Sequence, residues 1–186
     1  MNKVIRFLPL VLVIALGVVL YRGLSLNPTD MPSVLVGKAM PDFSLSTLKD
    51  AKSNVTNADL AGDIVLLNVW ATWCPTCKYE HPFLLELATD PKLAAQVKLY
   101  GVNYKDERGP AQQWLNHYKD PYLFSVFDDE GLLGVKLGVF GAPETFVIDH
   151  KGIIRKRFAG ALDIRVWRKE FEPLIKQLIN EKQQGV

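Results

Sequence analysis

Cysteine is scarce in this chain: two residues in 186, Cys74 and Cys77, three positions apart. So small a number excludes a disulfide-stapled scaffold, and without a second C-x-x-C pair the four-cysteine zinc arrangements are excluded as well. No cysteine lies near the amino terminus, which removes lipidation as a means of anchoring. An excess of charge of either sign is also lacking. The chain has 22 basic and 20 acidic side chains, of which Lys3, Arg6, Arg22 and Asp30 fall in residues 1–33, leaving 19 of each sign in the remainder. A formally neutral globular part has no electrostatic footprint for nucleic acid. There is no internal repeat and no low-complexity segment.

Long uncharged runs are limited to one, LPLVLVIALGVVLY, between Arg6 and Arg22. With Val4, Ile5 and a snorkelling Arg6 it approaches the roughly 20 apolar residues that cross a bilayer. Lys3 and Arg6 precede it and Arg22 alone follows closely, a bias that keeps the amino terminus cytoplasmic and exports the rest. The following RGLSLNPTD carries no small-x-small cleavage site. The expectation is an uncleaved anchor in residues 1–22, inserted through residues 4–21, then a turn-rich tether over 23–36 and a single domain over 37–186. With 48% hydrophobic and 23% charged residues, the chain is rich enough in apolar material for one core.

Within that domain, PDFSLSTL alternates as a half-buried strand does, and a weaker strand signal follows around residues 54–60. DIVLLNVW is near-continuously apolar, as expected of a central strand covered on both faces. PTCKYEHPFLLELA over residues 75–88 reads as a helix with Pro82 inside it. VKLYGVN is a second buried strand, PAQQWLNHYK a helix opened by proline, and SVFDDEGLLGVKLGV a short strand, turn and helix. ETFVIDHKGIIRKRF reads as a hairpin turning at residues 149–152, and a last helix is expected from an Asp163 N-cap to about residue 180. The order gives an α/β fold: a mixed sheet with helices on both faces.

Two thiols at the end of a strand are a staple, half of a metal site, or a reagent. A disulfide over so short a loop yields only about 2 kcal/mol by loop entropy, against about 3 for fifteen residues. Zinc needs two further ligands. His81 is one candidate, but His117 and His150 have no ligand spacing, and a metal site is not expected. His81 reads as a solvated helix residue. The redox reading accounts for more, because a strand running into a helix at the cysteines places Cys74 against unpaired N–H groups and a helix dipole that favour thiolate. Cys74 is then the nucleophile and Cys77, one turn further in, the resolving thiol. Pro143 in GVFGAPETFVID precedes a strand. The cis form of an X-Pro bond costs only about 0.5–1 kcal/mol, so either isomer is open at this point. A cis bond would present the Ala142 backbone for strand-like pairing with a peptide.

WCPTC followed by a helix, with a proline before a later strand, resembles the thioredoxin fold. MPDFSL, LLNVWATWCPTCKYEHP, GVNYKD, LGVFGAPETFVID and GIIRKRFAG, in this order behind an anchor, resemble the DsbE/CcmG family of membrane-tethered thiol:disulfide oxidoreductases of cytochrome c maturation. The resemblance implies a thioredoxin-like domain with an N-terminal β extension, held in the bacterial inner membrane with its domain in the periplasm. It further implies a reductant needing no cofactor beyond its redox-active Cys74–Cys77 pair. The pair is kept reduced by a DsbD-type transmembrane electron donor and acts on the C-x-x-C-H disulfide of apocytochrome c, directly or through a partner thiol protein of the haem-ligation machinery. By position, Cys74 attacks, Cys77 resolves and Pro143 is the cis-proline beside Ala142.

Glu144 matches the family's acidic residue beside the active site. Phe140 stands where the family often has tyrosine, and Trp73 is expected to flank the cysteines. Asn68 occupies the place of the buried acid that relays a proton in thioredoxins, so that role passes to water or another acid. Glu144 and Glu80 are the carboxylates expected to tune the pair, since a negative charge near Cys74 disfavours its thiolate. Two other readings remain in view: a thioredoxin-fold peroxide reductase, suggested by the PDF stretch, and a non-catalytic apocytochrome or haem-pathway binding module using the groove beside Pro143.

Overall fold

A computed structural model describes residues 3–24 and 34–185, which fall in two units divided after Met31. The first unit contains helix α1 (Lys3–Leu24), whose described apolar side chains, Leu10, Leu12, Ile14 and Leu20 among them, are exposed. The unbroken stretch of α1 with described side chains is residues 9–23, and among the described residues no helix is long and apolar enough to cross a membrane. The expected tether lies mostly outside the described residues.

In the second unit, β3 (Ile64–Trp70) is central because every one of its residues is apolar or internally bonded, and all seven are buried. It pairs in parallel with β4 (Val97–Tyr104), which pairs in parallel with β5 (Ser125–Asp128). On its other side β3 pairs antiparallel with β6 (Glu144–Ile148), and β6 with β7 (Ile154–Ala159), giving the order β5-β4-β3-β6-β7. Both parallel crossovers step in the same direction. Their right-handedness therefore sends helices α2 (Pro75–Thr89), followed by the short α3 (Pro91–Ala94), and α4 (Arg108–Tyr118) to the same face. Strand alternation divides β3: Ile64, Leu66 and Trp70 join the core under α2, whereas Val65, Leu67 and Val69 join a second core with Leu133 and Leu137 of α5 (Leu132–Leu137). The expected mixed sheet with helices on both faces is what forms.

The β extension is a two-stranded antiparallel sheet of β1 (Ser44–Ser46) and β2 (Asn54–Thr56). The second strand is shorter than its sequence signal, because Asp59 turns back to accept from the Thr56 N–H and hydroxyl and winds residues 57–60 into a 3-10 turn. Arg108 fastens this extension to the domain: its guanidinium donates to the Thr47 and Leu48 carbonyls and the Ser46 hydroxyl, and lies 4.2 Å over the Phe127 ring. Just before it, the Gly37 and Met40 N–H groups bond to the Ile154 and Gly152 carbonyls.

The last helix differs from expectation. Asp163 does cap it, accepting from the Arg165 and Val166 N–H groups, but α6 (Ile164–Val166) gives way to a π turn over Trp167–Phe171 before α7 (Glu172–Gln184). Pro173, in the first turn of α7, has no N–H to close the helical bond four residues back, and the widened turn accommodates that loss. α7 then ends at Gly185 in the left-handed region (φ 70°), beyond the expected residue 180.

Candidate active site

β3 ends at Trp70, and the chain turns once before α2 begins, so the helix starts directly above the sheet's carboxyl edge. Cys74 is the N-cap residue, in extended conformation, and Pro75 takes the first helical position, where a missing N–H costs nothing. Cys74 and Cys77 are joined as a disulfide, and the Cys77 N–H donates to Cys74 Sγ at 3.0 Å. That contact satisfies one of the helix's free amides with sulfur and supplies the stabilisation a Cys74 thiolate requires. The expected contrast in exposure is small: Cys74 is 4% and Cys77 2% exposed.

The Ala142–Pro143 peptide bond is cis, and the Ala142 carbonyl oxygen lies 3.3 Å from Cys74 Sγ. Trp73 flanks the pair, half-exposed, with its indole N–H donating to the Lys105 carbonyl at 2.9 Å. Phe140 is 81% exposed on the same loop as Ala142, with the Arg157 guanidinium 5.1 Å from its ring centre. Trp73 and the Ala142 backbone edge thus border a sulfur at a helix terminus, and Phe140 presents an exposed ring on the loop that carries that edge.

Glu144 requires a correction. Thr145 bonds to Asn68 on the face beneath α2, so by alternation Glu144 points to the opposite face, away from the cysteines. Its buried carboxylate accepts from Arg157 at 2.7 and 3.0 Å and from the Phe140 N–H at 2.9 Å. The charge is paired with Arg157, and the carboxylate holds the Phe140 N–H and with it the loop on which Phe140 lies.

Glu80 is likewise not solvated. It is 1% exposed, one helical turn beyond Cys77 on the buried face that continues through Leu84 and Leu87. Oε1 accepts from the Asn68 amide at 2.9 Å and Oε2 from the Leu162 N–H at 2.8 Å. Burial pushes its pKa up to about 7, against the pull of those two donors. Asn68 cannot carry a proton, but it holds the acid that can. The ionisable group of this buried network therefore stands on the helix, one turn beyond Cys77, and not on the strand. His81 is buried too, its Nε2 2.8 Å from the Lys119 carbonyl and its ring edge-on to Trp114, so the solvated reading is corrected. Among the described residues no group of three or more His, Cys, Asp or Glu is placed to hold a metal ion.

Sequence reasoning missed Tyr122, Thr145 and Leu162. The Tyr122 hydroxyl donates to Asn68 Oδ1 at 2.7 Å, and the Asn68 amide also reaches Thr145 Oγ1 at 3.0 Å. These partners lie 54, 77 and 82 residues from Asn68, Asn68 and Glu80 respectively, and no local pattern announces them.

A strand-to-helix cysteine pair on a mixed sheet, with a cis-proline edge against its first sulfur, defines the thioredoxin-fold thiol:disulfide oxidoreductases. Residues 35–172 match the Redoxin family model. The chain is 46% identical over 181 residues to the thiol:disulfide interchange protein DsbE of Pseudomonas aeruginosa, covering 97% of this chain and 98% of that one. It is 46% identical over 189 residues to DsbE of Vibrio cholerae, covering 99% and 100%. A crystal structure of a candidate DsbE from Chlorobium tepidum superposes with a TM-score of 0.66 at 26% identity, over 77% of this chain and 97% of that one. The chain belongs to the DsbE family of thiol:disulfide interchange proteins.

Proposed function

We propose that the protein is a membrane-anchored periplasmic reductant of cytochrome c maturation, anchored by residues 4–21. It would take electrons from a DsbD-type transmembrane donor and reduce the C-x-x-C-H disulfide of apocytochrome c, directly or through a partner thiol protein, leaving both thiols free for haem attachment. The observation that carries this reading is the Ala142 carbonyl 3.3 Å from Cys74 Sγ, beside the cis-proline. A peptide laid along that edge brings its own disulfide to the attacking sulfur. The apolar sequence of α1, between Lys3 with Arg6 and Arg22, supports the anchor and its orientation.

In the reduced chain, the Cys74 thiolate attacks one substrate sulfur and releases the other as a thiolate, forming a mixed disulfide. The Cys77 thiol gives its proton to Glu80 and attacks Cys74 Sγ. The second substrate sulfur leaves, the Cys74–Cys77 bond closes, and two electrons have passed to the substrate. The Glu80 proton and one from solvent complete the two product thiols, and the donor reverses the sequence on the protein.

Stopped-flow oxidation of the reduced full chain tests this reading. A C-x-x-C-H peptide disulfide should oxidise it faster than peroxide does, and the pair's potential should lie near the roughly −270 mV of thioredoxin, not the roughly −120 mV of DsbA. Preferential reaction with peroxide, or an oxidising potential, would overturn it.

A further inference from the structure

The buried polar chain beneath α2 contains a group with no part in the exchange steps above. Tyr122 lies just ahead of β5, buried, with its ring stacked 5.9 Å from that of Trp70. Its hydroxyl bonds to Asn68 Oδ1 and to no other group described. Burial and the nearby Glu80 hold its pKa well above that of ordinary tyrosine, so the group remains a protonated donor throughout the working range.

Asn68 has two possible orientations, exchanging its oxygen and nitrogen. In the one seen, Oδ1 meets the Tyr122 proton while the two amide hydrogens meet Glu80 Oε1 and Thr145 Oγ1. In the other, the Tyr122 proton would face an amide NH2 and Oδ1 would face a carboxylate. A single proton on Tyr122 therefore selects the orientation that turns a donor toward Glu80. We infer that Tyr122 is a positioning residue that sets the proton affinity of the Glu80 carboxyl through Asn68, an inference whose use in catalysis rests on Glu80 being the proton acceptor for Cys77. The other groups around Glu80 are Cys77 on α2, Thr145 on β6 and the Leu162 N–H. Asp120 is a second acid that acts on Tyr122, and it also acts on His81.

The test is the Glu80 titration in the full-length oxidised chain, followed by the carboxyl 13C resonance of labelled glutamate. Tyr122→Phe keeps the ring and its stack but removes the proton, and should raise the Glu80 midpoint by about one pH unit, tenfold in proton affinity. In an Asn68→Ala background the same change should add nothing, because the relay is gone. In the unaltered protein, the Tyr122 ring carbon bearing the hydroxyl should titrate with the Glu80 midpoint, a readout that needs no variant to fold. An unmoved midpoint in folded Tyr122→Phe, an undiminished effect in the Asn68→Ala background, or no shared titration would each overturn the inference. If Glu80→Gln left the pH profile of exchange unchanged while the Tyr122 shift was present, the proton-acceptor reading would fail and the positioning inference would stand.

Discussion

Cys74→Ala is expected to lower the rate of disulfide exchange to the uncatalysed background, at least about a thousandfold, or about 4 kcal/mol of barrier. Only Cys74 Sγ combines the N-cap position, an N–H donor at 3.0 Å and the Ala142 edge. Cys77→Ala should behave differently. The first attack survives, but the mixed disulfide has no resolving thiol and should accumulate as a covalent adduct with substrate. Non-reducing gel electrophoresis and mass spectrometry of the two variants, incubated with an oxidised C-x-x-C-H peptide, check the pair. An adduct on Cys74→Ala and none on Cys77→Ala would reverse the assignment, and exchange by Cys74→Ala at the unaltered rate would remove Cys74 from the mechanism.

The second large effect concerns Glu80 and pH. Its folded pKa of about 7 lies above the ordinary 4.5. The folded state therefore holds a proton that the unfolded chain releases, and the associated stability is present in full below about pH 4.5 and lost as pH rises through about 7. The difference corresponds to about 3 kcal/mol, an order-of-magnitude figure from about 1.4 kcal/mol per pH unit. Glu80→Gln should abolish this loss: comparing pH 4 with pH 8, urea unfolding of the oxidised variant should show a stability change smaller by about 3 kcal/mol than that of the unaltered chain. Working on the disulfide form keeps thiol ionisation out of the comparison. An identical pH dependence in both proteins would mean that Glu80 titrates normally. In exchange assays the same variant should turn over more slowly at the resolving step if Glu80 accepts the Cys77 proton as proposed.

The parts of the fold that sequence revealed are those governed by local rules. DIVLLNVW had to be a covered strand, Pro75 and Asp163 had to begin helices, and Cys74 had to fall at a helix start, because the patterns and caps that dictate each lie within a few residues. The site was legible to the same depth: its sulfurs, the Pro143 edge and Glu80 as a nearby carboxylate, but not the distant partners that bury and bond that carboxyl. Whether Glu80 and His81 face water or core depends on Asn68, Leu162 and Lys119, which only the folded topology brings near. Glu144 is an intermediate case. Its adjacency to Pro143 suggested the cysteines, while strand alternation from Thr145 sends it to the other face, where Arg157 waits from the next strand. The π turn reflects Pro173 acting on a helix whose apolar pattern otherwise runs on unbroken.

The Arg108 clamp also fixes where the chain can be shortened. Its three acceptors lie on Ser46, Thr47 and Leu48, and residues 37–40 are bonded to Gly152 and to Ile154 at the start of β7. Trimming that stops before Gly37 leaves every one of these bonds in place. Trimming past Leu48 would strand a guanidinium beside Phe127 with its carbonyl partners gone and uncover the edge of β5 that Thr47 now bridges. The amino-terminal hairpin is thus bonded into the domain that carries both sulfurs, although it lies far along the sequence from Ala142, which meets the first of them.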